Sequence, residues 1–172
     1  MPKVAAAVGL ISSACKALSH GKGAHAMDDQ PQPLTMDRIT DLLEEKDITY
    51  FFDQEGDVMT LWDNVRIYFR LSGEDNSAMQ VLGMQSPLSP EVISPEDMVW
   101  FCNEWNRQRP FPKAYASFLG EGPDREPALR GEHTFSYVAG VSPAQLEDDV
   151  MGPLALINRL FDKFAAELKG ES

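Results

Sequence analysis

The order of the predicted elements limits what this chain can fold into more than any other feature does. Four segments rich in aromatic and β-branched residues follow one another, with only short turns of Gly, Asp and Asn between them. They span residues 48–54, 57–63, 64–71 and 78–85. Because no helical segment separates them, we expect consecutive strands to pair as an antiparallel meander.

The third of these segments indicates what the two faces of the sheet meet. Val65, Ile67 and Phe69 alternate with two arginines and a tyrosine. Successive side chains of a strand point to opposite faces, so one face is expected to be buried and the other to face water.

Two helices are predicted from cap residues and apolar spacing. The first covers residues 35–46, with Thr35 as a plausible N-cap. The second begins at the Ser94-Pro95 pair, since a hydroxyl cap followed by proline is typical of a helix start. It is expected to end before the segment RQRPFP, with Asn106 able to close it.

The last part of the chain predicts two more strands and a long helix. The strands are residues 112–119 and 131–139, and the helix starts at the Ser-Pro pair at 142–143. The Gly-Pro pair at 152–153 is expected to kink or split this helix. Grouped strands with flanking helices predict an α+β fold, with an antiparallel sheet of about six strands and helices packed on one face.

Length and charge restrict the organisation and the partners. With 172 residues, the chain allows one domain and a tail. We expect residues 1–34 to form a basic N-terminal extension and linker, and residues 35–170 to form the α+β domain. The formal net charge of −12 opposes binding to nucleic acid or to an anionic membrane, so neither partner is predicted.

The N-terminal extension differs from the remainder in charge. Residues 1–26 hold three lysines and no acid, which leaves −15 for the remainder of a chain whose net charge is −12. A basic start, an apolar stretch and an Ala-His-Ala triplet are typical of a signal peptide. The stretch is nevertheless alanine-rich and interrupted by serines, which favours a tail or a translation start upstream of Met27. With only two cysteines in the chain, we expect a cytoplasmic protein.

Few residues are suited to catalysis or to metal binding. His133 is the one histidine within the predicted domain, and Cys102 lies on the apolar stripe of its helix, where a core thiol is expected. No short-spaced set of His, Cys or acidic residues predicts a metal site, and no glycine-rich loop predicts a phosphate site. The sequence therefore predicts no catalytic residues, no metal and no cofactor.

The densest polar cluster lies between the second helix and the fifth strand. Its candidate contacts to a partner or an anion are Arg107, Arg109, Lys113 and Trp105. In the alternative interpretation, the cations complement the negative end of the helix. The three tryptophans of the chain, Trp105 among them, are expected as core or subunit-contact residues.

This region also carries a family resemblance. The string FCNEWNRQRPFPKAYASF, the capped helix before it, and the later Gly140-Val141-Ser142-Pro143 with Gln145-Leu146 resemble the YbjN family of bacterial sensory transduction regulators. The resemblance covers roughly residues 35–168. It implies a fold similar to type III secretion chaperones and a cytoplasmic dimer without known enzymatic activity, and it supplies no catalytic residues.

The functional hypothesis is therefore a non-enzymatic protein-binding module, chaperone-like or regulatory. It would bind an extended or amphipathic partner segment at a sheet edge or in a hydrophobic groove, where methionines such as Met59 and Met84 offer adaptable contacts. One alternative is a self-associating structural or stress-response protein, with a homodimer as the expected assembly. Another is a sensor of a small anionic ligand at the cluster of Arg107, Arg109 and Lys113.

Overall fold

Six strands form one antiparallel sheet, and three helices pack on one of its faces. The computed structural model describes residues 30–89, 91–119 and 125–170. In chain order the elements are α1 (Met36–Glu45), β1 (Tyr50–Phe52), β2 (Val58–Trp62), β3 (Val65–Ser72), β4 (Ala78–Gln85), α2 (Pro95–Gln108), β5 (Lys113–Leu119), β6 (Glu126–Ser136) and α3 (Pro143–Leu168). A single 3-10 turn, Glu74–Asn76, joins β3 to β4. The α+β class and the six-stranded antiparallel sheet confirm the prediction.

The spatial order of the strands is β1-β2-β3-β4-β6-β5. The first four strands form the predicted meander, and β6 pairs with β4 on one side and with β5 on the other. The edges of the sheet are therefore β1 and β5.

β6 begins at Glu126, five residues before the predicted start. Residues 126–130, predicted as loop, pair with the second half of β5. Pro127 lies beyond the part of β6 that pairs with β4, so its missing N–H removes no bond to that strand. Its carbonyl oxygen accepts a hydrogen bond from the Leu88 N–H at 2.8 Å.

α3 is a single helix of 26 residues, so of the predicted kink or split at residues 152–153 the split is wrong. A proline inside a helix removes one i→i−4 hydrogen bond and crowds the carbonyl at i−4, and its ring also clashes with the Cβ and N–H of the preceding residue. Gly152 has no Cβ, and packing of the flanking turns against the sheet holds the remaining backbone in place.

The core lies between the helices and the sheet face that α3 covers. Val65, Ile67 and Phe69 are fully or nearly fully buried there, as their alternation predicts. Two glycines, Gly83 and Gly131, let α3 approach the central strands closely, because a Cβ at either would overlap side chains of this helix. We call the opposite side of the sheet the open face.

The first described residues are tied to the start of α3. Gln32 pairs with Val141, and the guanidinium of Arg38 donates hydrogen bonds to the carbonyl oxygens of Gln32, Pro33 and Val141 at 2.9–3.0 Å. Leu34, within the predicted linker, is buried in the core. The predictions for residues 1–29 lie outside the described part of the chain.

None of the described helices combines the length and the apolar character that crossing a bilayer requires.

Candidate functional site

A groove of about 290 Å³ opens between the N-terminal half of α2 and the C-terminal end of α3. It is lined by six apolar and two acidic residues: Val92, Ile93, Trp100, Phe101, Phe164, Leu168, Asp97 and Glu167. The rings of Phe101 and Phe164 form its floor, with centroids 4.9 Å apart. Polar and apolar atoms share the accessible surface of this groove, which suits an amphipathic peptide segment.

Trp100 forms the exposed wall of this groove and is 61% exposed. Trp105 lies five residues later on the same helix and is only 3% exposed. Five residues correspond to a rotation of about 140° around a helix axis, so the two indoles leave α2 on different sides. The spacing of the two tryptophans is the sequence signal that distinguishes them.

The rim of the groove is acidic. The Asp97 carboxylate accepts a hydrogen bond from the Ser94 hydroxyl at 2.8 Å, and Glu167 pairs with Lys163 at 3.3 Å. Among the described residues that line the groove, none is basic. The groove therefore complements an apolar segment that carries positive charge.

The predicted cluster around Trp105 is divided among three places. Trp105 is in the core, where its indole N–H donates to the Pro112 carbonyl oxygen at 2.9 Å. The guanidinium carbon of Arg109 lies 4.3 Å from the centre of the same indole. The hydrogen bond and the cation–π contact of Trp105 stabilise the turn from α2 into β5. They agree with the predicted core role of this residue.

The other two cations point elsewhere. Arg107 pairs with Glu104 at 2.7 Å, and this ion pair lowers the pKa of the Glu104 carboxyl. Lys113 is the exposed first residue of β5 and lies opposite Glu132. Contact of Arg107, Arg109 and Lys113 with an anion or a partner stays a prediction, but the three side chains do not converge on one point.

Asn106 has a role that the sequence did not indicate. Its amide donates to the Ala114 carbonyl oxygen at 2.8 Å and accepts from the Ala114 N–H at 2.9 Å. These are the two bonds that a neighbouring strand would make to β5. The expectation that Asn106 closes the helix is wrong, since α2 continues to Gln108 and Arg109 is its C-cap.

Comparison with known proteins identifies the family. Residues 35–166 match the family described as "YbjN: Putative bacterial sensory transduction regulator". The chain belongs to the YbjN family. The fold is similar to that of a solved structure described as "Crystal structure of YbjN, a putative transcription regulator from E. coli". The TM-score is 0.66 at 15% identity, over 80% of this chain and 96% of the other. Among the curated proteins, none matches this chain.

In the described part of the chain, one acidic turn holds a short-spaced set of carboxylates that the prediction of no metal site overlooked. Carboxylate oxygens of Asp53, Glu55 and Asp57 lie within 4.8 Å of one another in the β1–β2 turn. Asp53 accepts hydrogen bonds from the N–H groups of Glu55 and Asp57, and Arg70 pairs with Asp57 at 2.8 Å. The turn and this ion pair account for the cluster without a metal.

Cys102 is a core residue in this YbjN-family domain, as predicted. The thiol is buried, and burial raises its pKa to about 11. It is therefore protonated at neutral pH and is a poor nucleophile.

His133 lies in a stack of rings along β6. It is sandwiched between Phe111 and Phe135, with ring centroids 4.1 and 4.2 Å away. Its Nδ1 is buried and has no hydrogen-bond partner in the described part of the chain. Burial lowers the pKa of His133, and the charge of Asp149, which accepts a hydrogen bond from Tyr137, acts in the opposite direction.

We expect His133 to make the fold of this YbjN-family protein sensitive to mild acid. Because the folded state disfavours the charged imidazole, the unfolded chain binds more protons as pH falls below the ordinary pKa of 6.5. The free energy of unfolding therefore decreases from that pH down to the lower pKa of the folded state. His133→Phe keeps the ring stack and should remove this part of the decrease. Urea unfolding of both proteins at about pH 7.5 and about pH 5 measures it, and equal losses would refute the expectation.

Proposed function

We propose that this YbjN-family protein is a non-enzymatic adaptor, chaperone-like or regulatory, that binds an apolar, positively charged segment of a protein partner in the α2–α3 groove. The observation that carries the proposal is the exposed indole of Trp100 beside the aromatic floor of the groove. Tryptophan is enriched among the residues that dominate binding energy at protein interfaces.

The charge of the groove and the family description support the same role. The acidic rim of Asp97 and Glu167 would attract basic residues that flank the apolar segment. A regulatory function agrees with the description of the family as sensory transduction regulators. The proposal includes the fold likeness to type III secretion chaperones that the family resemblance implies, since such chaperones bind partner segments. A reduced, cytoplasmic location is part of the proposal, because the chain holds only two cysteines and Cys102 is buried.

Self-association is the second candidate, and it is favoured by a different observation. Edge strand β1 has three residues, and two of them, Phe51 and Phe52, are 51% and 60% exposed. Pairing of β1 with β1 of a second copy would cover both rings and give a two-fold homodimer. Light scattering of the wild type and of Phe52→Ser distinguishes this assembly from a monomer that binds only other proteins.

A synthetic amphipathic peptide of Leu and Lys tests the groove, with its affinity measured by fluorescence anisotropy. Trp100→Ala should weaken binding by about 30-fold, the effect of losing a hot-spot residue. The matched control is Leu156→Ala, which removes an exposed apolar side chain of α3 outside the groove and should leave the affinity unchanged. Equal affinity of Trp100→Ala and wild type would refute the groove as the binding site.

Capture of a partner from cells tests whether the groove binds a protein there. Photo-crosslinking from position 92, where the exposed Val92 also lines the groove, should recover the same partner in full-length protein and in a form without residues 1–26. A partner that is captured equally by the Trp100→Ala protein would bind elsewhere.

A further inference from the structure

The open face carries apolar and basic side chains that do not belong to the core under the helices. Gly83 and Gly131 face α3, so their neighbours Leu82, Met84 and Arg130 leave the sheet on the other side. Leu82 is only 1% exposed, yet it is not part of the core cluster under the helices. Side chains of the open face must therefore bury it.

An apolar row crosses four strands on this face. Phe51 lies opposite Met59, Met59 opposite Tyr68, and Tyr68 opposite Leu82. Met59 and Tyr68 are half-buried and Phe51 is exposed, whereas the outer face of an antiparallel sheet is ordinarily polar. The row is thus a strip of accessible apolar surface.

Arginines border the apolar row. Arg66 and Arg130 lie on either side of Met84 in the register of β3, β4 and β6. On the other side of the row, the guanidinium carbon of Arg70 lies 5.1 Å from the centre of the Tyr68 ring.

Arg66 and Arg130 are available for a new ion pair. Arg70 is paired with Asp57, but neither Arg66 nor Arg130 forms an ion pair within the described ranges. Arg130 donates one hydrogen bond, from Nε to the Ser117 hydroxyl at 3.0 Å. Its remaining donors are not used by a carboxylate of the described residues.

The charge of the open face is opposite to that of the helical side. The helices α1, α2 and α3 together hold twelve Asp and Glu against four Lys and Arg. By the strand alternation, the open face holds four basic residues and two acidic ones. They are Arg66, Arg70, Lys113 and Arg130 against Glu126 and Glu132. Asp57, which precedes β2 and pairs with Arg70, adds a third carboxylate, so the face has an excess of one positive charge. The open face is thus the less acidic side of a chain of net charge −12, and Arg66 and Arg130 are its cations closest to the apolar row that have no ion pair in the described residues.

We propose that the open face binds an acidic amphipathic segment of a partner protein. Apolar side chains of the segment lie on the row of Phe51, Met59 and Tyr68, and its carboxylates pair with Arg66 and Arg130. Tyr, Met and Arg are the residue types enriched at protein interfaces. This site is separate from the α2–α3 groove and selects the opposite charge.

Two other occupants fit the observations less well. A second copy that paired through β1 would reach only Phe51 of the row, and one that supplied carboxylates would present its acidic helices, an unlike contact that leads to open chains instead of a closed dimer. Nucleic acid would meet the field of a strongly acidic chain, which opposes long phosphate backbones. A short acidic segment avoids both difficulties.

The test uses a labelled amphipathic peptide of Leu and Glu with the full-length protein. The double variant Arg66→Glu/Arg130→Glu should weaken binding by about 100-fold, since close charge pairs at interfaces couple strongly. The matched control Arg159→Glu/Lys169→Glu makes the same change in net charge on the helical side and should change the affinity by less than about threefold. Wild-type affinity should also decrease as salt is raised.

A second variant controls for misfolding, and three outcomes would show that the proposal is wrong. Arg66→Gln/Arg130→Gln removes the charges without reversing them, and its circular dichroism shows whether the sheet is intact. The proposal is wrong if the control loses as much affinity as the open-face variant, if wild type does not bind the peptide, or if a DNA duplex binds more tightly than the peptide does. Binding of the Leu and Lys peptide should be unaffected by the Arg66 and Arg130 changes, so failure here is distinguishable from failure of the groove.

Discussion

Trp105→Ala is expected to lower the free energy of unfolding by about 3–5 kcal/mol, whereas Trp100→Ala in the same helix should change it by less than about 0.5 kcal/mol. Trp105 is buried and Trp100 is exposed at the groove. Removing a buried indole leaves a cavity, and it also leaves the Pro112 carbonyl oxygen without its donor. Urea unfolding of the two variants and wild type measures both values.

A third variant separates the two causes. Trp105→Phe fills most of the cavity but has no N–H, so it should cost about 1–3 kcal/mol, the penalty for a buried acceptor without a partner. Similar destabilisation by Trp100→Ala and Trp105→Ala would contradict the assignment of one indole to the core and the other to the groove.

Gly83→Ala should destabilise the fold by about 1–3 kcal/mol, because the added methyl group enters a packed core. A Cβ at position 83 would overlap Cγ2 of Ile157 and would lie 2.9 Å from the Phe161 ring. Gly131→Ala should cost less, since its Cβ meets the flexible end of Leu160. Thermal unfolding of the two variants gives the order.

A double-mutant cycle provides the control for this prediction. In Ile157→Ala, the space that the isoleucine methyl occupied is free, so adding Gly83→Ala should cost at least about 1 kcal/mol less than it does in the wild type. Additive effects of the two changes would show that α3 does not pack against Gly83 in the way described.

Local signals predicted much of the fold. β4 has the predicted bounds, Ala78–Gln85. α2 and α3 begin at the predicted Ser-Pro pairs, and both serines accept a hydrogen bond from an N–H of the first turn. Caps and alternation depend on residues a few positions apart, so they can be found without knowledge of the fold.

The wrong predictions concern segments whose structure depends on contacts with residues far away in the sequence. Residues 126–130 become strand because β5 lies beside them, despite Pro127. The helix continues through Gly152-Pro153 because its flanking turns are buried on the sheet. Asn106 turns to the backbone of Ala114, which no pattern in its own helix indicates. Each outcome depends on tertiary contacts that outweigh local preference.

Local sequence patterns predicted the candidate sites only in part. Arg107, Arg109 and Lys113 are close in sequence, but the transition from helix to strand sends their side chains in different directions. The groove joins α2 to the far end of α3, and the arginines flanking Met84 come from β3 and β6. Residues that are neighbours in space but distant in sequence can be identified only when the strand order and register are known.

The amide of Asn106 limits how far copies of this chain can polymerise. A strand arriving at β5 would have to displace this side chain from the first outward pair of backbone groups, at Ala114. The opposite border, β1, offers only three residues as a template. Two copies joined at β1 would each present β5 outward, where Asn106 already occupies the backbone groups of Ala114, and this disfavours the addition of a further strand.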